Sequence, residues 1–206
     1  MTPAREASGL RHASHTAYDR AQRVASGRVG LVIGFVWAVA EATVWPIIPD
    51  FAVVPMAAVA RLRGYVPLAG CVLGMAVGGC LNLLFSYTHP TQAHTLLAAL
   101  PLARADQLGY VSRVLTVVGP HAFLFQPWSG VPFKTWAVAA GGLRLNLLVV
   151  IPAFIVGRGF RVGFFSVIAG GLGLALGRFV RDHFLVLLAL YVALFAVGFW
   201  LVIVRG

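Results

Sequence analysis

Residues 41–50 read Glu41-Ala42-Thr43-Val44-Trp45-Pro46-Ile47-Ile48-Pro49-Asp50, two carboxylates and two prolines set inside apolar sequence. From Arg20 to Arg104 there is no other acidic residue. A carboxylate at membrane depth costs several kcal/mol unless it faces a protein cavity and finds a partner. Proline removes a backbone donor and clashes with the preceding turn, so no straight helix is expected across Pro46 and Pro49. Broken backbone is tolerated in a membrane only where protein or water satisfies it. The stretch is therefore expected to be the tip of a re-entrant, discontinuous helix that carries acids inward.

The surroundings agree with a membrane setting. The chain has 206 residues, is 60% hydrophobic and 11% charged, and has a mean hydropathy of +0.88, where soluble domains carry roughly 25% charged residues. Its 16 Lys+Arg stand against 6 Asp+Glu. In a soluble protein that excess would point to nucleic acid. Here the arginines fall in gaps between apolar runs, as in cytoplasmic loops, and there is no aromatic-studded basic face, so no nucleic-acid partner is expected. Cys71 and Cys80 share one segment, and if it is helical their nine-residue spacing is about 13 Å of rise, too long for a disulfide.

Residues 1–28 are polar and rich in arginine, and read as a cytoplasmic tail that is disordered or lies on the membrane surface. A cleaved signal peptide is disfavoured, since the polar lead is too long and a cut after Ala38-Val39-Ala40 would fall just before Glu41. Residues 29–60 are apolar, break at Pro46 and Pro49, and close at Arg61 and Arg63. Each arm is shorter than the ~20 residues that cross a bilayer, which favours a hairpin that dips and returns. Residues 65–87 can cross, and Gly70, Gly74, Gly78 and Gly79 fall partly at the four-residue spacing that lets helices approach closely. Residues 88–107 read as an interfacial helix and loop. Residues 108–134 are apolar but interrupted by Gly119, Pro120, Pro127, Gly130 and Pro132, and suggest a second broken hairpin entering from the opposite side. A pair of such interrupted segments is the sequence pointer to a transport site. A further span is expected over 135–157, a short apolar piece held at the cytoplasmic face over 162–177, and a last span over 184–204, which leaves the side of the C-terminus open.

Four pieces in order resemble the DedA superfamily of membrane proteins, also called SNARE-associated or VTT-domain proteins, and its short YqaA-like branch in particular. They are Glu41 through Pro46-Ile47-Ile48-Pro49-Asp50, the glycine-rich Gly74–Tyr87, Val131-Pro132-Phe133-Lys134 leading to Ala139-Ala140-Gly141 and Arg144, and Gly157-Arg158-Gly159-Phe160-Arg161. The second hairpin departs from the family pattern: Gln126 or Pro127 stands where a first arginine is usual, and Lys134 is nearest to the second. The resemblance implies an all-α integral membrane domain over 29–204, in which transmembrane helices brace two opposed re-entrant hairpins. It also implies transport of an anionic lipid, a polyprenyl phosphate such as undecaprenyl phosphate or a phospholipid, across the bacterial inner membrane, coupled to protons.

In that reading Glu41 and Asp50 form the transport and proton site, because burial in oil favours a protonated carboxyl. Lys134 and Arg144 are the expected cations for the lipid head group, a point charge and a bidentate fork, with Pro46, Pro49, Pro127 and Pro132 marking the hairpin breaks. Structural roles compete: Asp50 as a helix N-cap, Arg144 as a snorkelling cation, Lys134 at the membrane interface. A proton- or cation-coupled antiporter of small solutes and a non-transporting scaffold are the alternative functions. An intramembrane hydrolase is disfavoured because no nucleophile–base pair or metal cluster is legible. No enzyme activity, cofactor or metal is expected. Lipids and protons are the expected partners, and a homodimer is compatible with the reading.

Overall fold

A computed structural model describes residues 3–100 and 105–205, with side chains from 9 to 100 and from 106 to 200. Among the described residues the regular structure is all helix, with no strand. Two helices are long and apolar enough to cross a membrane, α4 (Tyr65–Thr88) and α8 (Leu147–Ala175), or three spans if α1 (Pro3–Ala25) and α2 (Arg28–Thr43), bent by 69° at their joint, are taken as one. At 1.5 Å per residue α4 and α8 are about 36 and 43 Å long.

Helix α2 lies along α4 in the same direction, with Leu31 against Gly70, Phe35 against Gly74 and Val39 against Gly78. Each of these glycines puts its Cα against backbone, and a side chain at Gly70 or Gly74 would collide with a carbonyl of α2. The spacing legible in the sequence thus serves close packing. After α2 the chain breaks over 44–49 and returns as α3 (Asp50–Ala60), whose Ala58 meets Gly173 near the end of α8. Helices α2 and α3 make a hairpin that begins and ends beside α1, closed by a 3-10 turn at Arg61–Arg63.

The opposite end supplies the second hairpin. From α5 (Pro90–Ala99) the chain passes into α6 (Ala105–Val118), through 3-10 turns at Gly119–Leu124 and Gln126–Trp128, and back as α7 (Phe133–Gly142). Gly157, midway along α8, touches the Phe123 and Leu124 carbonyls at this hairpin's tip, while Gly141 meets Ser86 near the far end of α4. Phe123, Phe133, Phe154, Leu83, Val111 and Leu115 form the main core between the hairpin and the two long helices.

Three expectations change. The span placed at 135–157 does not exist: α7 stops at Gly142, Arg144 takes a left-handed conformation (φ 53°), and the Asn146 side chain caps α8 by accepting from the Leu148 N–H at 3.0 Å. The short piece at 162–177 is the second half of α8, because Arg158 and Arg161 turn inward to protein partners and do not end a helix in solvent. Of the two alternatives for residues 1–28, disorder is overturned where they are described, since Pro3–Ala25 is helix and packs on the rest. Tyr18 and Gln22 of α1 donate to the Val59 carbonyl at 3.4 and 3.3 Å, an unsatisfied group at the end of α3. Tyr18 also packs edge-on against Phe184, the first residue of α10 (Phe184–Arg205). Between them lies α9 (Gly177–Asp182), tied to α1 by Arg181–Asp19 at 2.8 Å and His15–Asp182 at 2.6 Å. From there α10 runs back along the molecule, Tyr191 donating to the Phe51 carbonyl at 2.7 Å.

Gly74→Leu is expected to lose more than ~2 kcal/mol by overpacking α2 against α4. Gly171→Ala, in open space on the same class of helix, should gain about 0.5–1 kcal/mol. Thermal unfolding followed by size-exclusion chromatography checks both. The hydrogen bond from His15, aided by the charges of His15, Arg11 and His183, holds the Asp182 carboxyl below its ordinary value. A depressed acid contributes its stability above the ordinary carboxylate range and loses it as pH falls through the lowered value. Pepsin digestion along an acid series should therefore release α1 only below that range.

Candidate functional site

The two hairpin tips meet near the middle of α4 and α8, and there the broken backbone presents carbonyls with no helical partner. Buried backbone groups of this kind must be paired. Side chains do it one by one. Asn82 Nδ2 donates to the Ala42 carbonyl at 2.7 Å and Trp37 Nε1 to Ile47 at 3.0 Å. Lys134 Nζ donates to Trp45 at 2.8 Å. In the second tip Gln126 Nε2 donates to Val131 at 3.1 Å and Arg161 to Pro127 at 3.0 Å. Lys134 begins α7, so its bond to Trp45 ties one tip to the other.

At the centre of this seam Glu41 pairs with Arg158. Both are buried, at 3% and 7% exposure, and a guanidinium N–H donates directly to the carboxylate. Arg158 Nε reaches Met75 Sδ at 3.3 Å, and its guanidinium lies 4.8 Å from the centre of the Phe133 ring. The cation is thus held by α2, α4 and α7 at once. Lys134, 3% exposed, lies within electrostatic reach of both members of the pair. The Cys71 thiol shares the neighbourhood with Arg158, Asp50 and Glu41. Glu41, Lys134 and Arg158 are thus buried in one region, and Asp50 is half-buried.

The sequence-predicted residues divide. Glu41 and Lys134 come together in the protein interior. Asp50 sits in the first turn of α3, where a negative charge suits the helix dipole, but it is not the cap: Pro49 is, and no side-chain cap bond forms. The Asp50 Oδ1 is buried with no hydrogen-bond partner. Arg144 lies apart. It is exposed at the far end of α4, its guanidinium 4.9 Å from the centre of the Tyr87 ring, and it does not meet Glu41. Of the prolines, Pro46, Pro49, Pro127 and Pro132 all fall in the interrupted tips.

Arg158 was missed as a site residue, and so was Arg161. Two arginines three residues apart within 29 apolar-rich helical residues were the available signal, since cations there are rare unless they face the interior. Beside the first tip, Val32, Ile33, Val36, Trp37, Ala40 and Trp45 line an open apolar groove of about 400 Å³. Among the described residues no cluster of three or more His, Cys, Asp or Glu could hold a metal.

Removing one member of a buried pair leaves an uncompensated charge, typically at a cost of about 3–5 kcal/mol, while replacing both by apolar groups is often neutral. Arg158→Met is therefore expected to destabilise more than the double variant Glu41→Leu/Arg158→Met. Unfolding midpoints for the four proteins of the cycle measure the coupling.

No family model matches the chain, and no curated protein or solved structure matches it significantly, so what the chain does must be read from the geometry of this seam.

Proposed function

We propose that this is a membrane protein of the DedA type that moves an anionic lipid across the bacterial inner membrane, with proton exchange at Glu41 and Asp50 driving the cycle. The observation that carries the reading is the buried Glu41–Arg158 pair, set with Lys134 where two hairpins from opposite ends touch. Helices α2, α3 and α7 have 16, 11 and 10 residues, fewer than the ~20 that cross a bilayer. In a membrane the hairpins are then re-entrant, α4 and α8 brace them, and their tips lie near the midplane.

A phosphate head group that reaches this depth needs a cation. Arg158 is occupied while Glu41 is ionised. Protonation of Glu41 removes that partner and frees the planar fork for a phosphate, which matches it in two parallel hydrogen bonds. Lys134 gives one N–H to Trp45 and has two more to offer. Deprotonation restores the ion pair and expels the head group. Asp50, with one oxygen unpartnered, is a second station for the proton. No bond is made or broken in the lipid, so no enzyme chemistry is required. Arg144 serves in this scheme only as a cation at the far end, where an incoming head group first meets the protein.

The apolar groove favours a lipid over a water-soluble solute. It opens beside Ala40 and Trp45, which flank the charged seam, and its lining suits an acyl or prenyl chain. The arginines gathered near α1 favour a cytoplasmic setting for that end, with the N-terminus, by the positive-inside bias.

The test is reconstitution into vesicles with a labelled lipid phosphate and an imposed pH gradient. The protein should accelerate crossing, Glu41→Gln should abolish the pH dependence, and Lys134→Ala should weaken preference for anionic head groups. Crossing that is unaffected by both substitutions would defeat the mechanism. Collapse of the gradient by a soluble cation with no lipid movement would favour a small-solute antiporter.

A further inference from the structure

The end of the molecule formed by α1, the Arg61–Arg63 turn and α9 holds more positive charge than its own acids answer. Asp19 is engaged by Arg181 and Asp182 by His15. Arg20, Arg23, Arg28, Arg63 and Arg178 are all exposed, and among the described residues none meets a carboxylate. Behind them Arg61 is wedged between the Tyr18 ring and Gly177, with its Nε buried and unpartnered. Large apolar side chains stand among these cations: Leu62 is 79% exposed, Tyr65 64% and Phe179 54%. A face turned only to water has no use for this interleaving.

Placement explains it. Helix α1 turns away from α2 by 69°, so it lies across the helix ends and does not extend them. Its inner side is fixed by Tyr18, Gln22, His15 and Asp19 to three other elements. The turn joining α3 to α4 has three residues, which keeps Leu62 and Arg63 at the very end of a membrane-length helix. Apolar groups at that level reach the acyl boundary, and arginines beside them meet head groups.

We propose that this end is a docking face for the negatively charged lipids of one leaflet, with α1 as a platform clamped onto the bundle and held down by the unpaired arginines. The proposal rests on the membrane reading above but not on lipid crossing. It assigns Arg20, Arg23, Arg63 and Arg178 to the leaflet surface and leaves Glu41, Lys134 and Arg158 to the interior.

The test uses the full chain in nanodiscs of phosphatidylcholine, with and without phosphatidylglycerol, and reads hydrogen exchange over residues 9–25. Exchange in α1 should slow on the order of tenfold or more in the anionic discs. The protection should fade at high salt and be lost in the variant with Arg20, Arg23, Arg63 and Arg178 all changed to Gln. That variant keeps the α1–α9 ion pairs, so it should match the parent in neutral discs. Equal exchange in the two lipids overturns the proposal, as does protection that survives the four substitutions. Equal protection by soluble polyphosphate added to neutral discs also overturns it, since the face would then take polyanions from water. None of these readouts requires a lipid to cross, so a failure here and a failure of transport are separately visible.

Discussion

A charge pair taken out of water organises the interior. Desolvating a carboxylate and a guanidinium is costly, and the attraction between them compensates only if geometry and further contacts are good. The Glu41–Arg158 pair meets that condition by drawing on four elements: α2 gives the acid, α8 the base, α4 a sulfur and α7 an aromatic face. Each contributor must hold position for the pair to be tolerable. The glycine contacts of α2 on α4, and of α8 on the second tip, are what allow the backbones close enough.

Around the pair, the two interrupted segments solve their own problem. A broken helix leaves carbonyls exposed, and in an apolar setting each one must be met. Five long polar side chains do this, from Trp37, Asn82, Gln126, Lys134 and Arg161. In the interior these five side chains thus gather where backbone regularity fails. Lys134 has both duties, holding a carbonyl of the other tip and standing within reach of Glu41.

Much of this was legible. Pro46 and Pro49 broke the first helix where expected, Gly70, Gly74 and Gly78 marked the α2–α4 contact, and the Gly119–Pro132 run marked the second tip. The errors came from arginines and from one cap. An arginine in an apolar run looks the same whether its long side chain snorkels to water or folds inward, so Arg158 and Arg161 read as the end of a span. Arg144, by contrast, was expected as a head-group cation early in a span over 135–157, yet the chain turns at that point. The turn depends on Asn146 capping α8, a local signal hidden among leucines. The order of α1 depended on contacts with residues 37 and more positions away, which no local pattern encodes.

Helix α8 is about 43 Å long by its 29 residues, against a hydrocarbon layer of roughly 30 Å. In the proposed setting it can lean, bend at Pro152 or reach into the head-group layer. Thicker bilayers would stand it more upright and thinner ones would tip it further, at a modest cost per ångström. Because Arg158 and Arg161 sit on this one helix and hold Glu41 of α2 and the Pro127 carbonyl of the second tip, any tilt of it would move both contacts together.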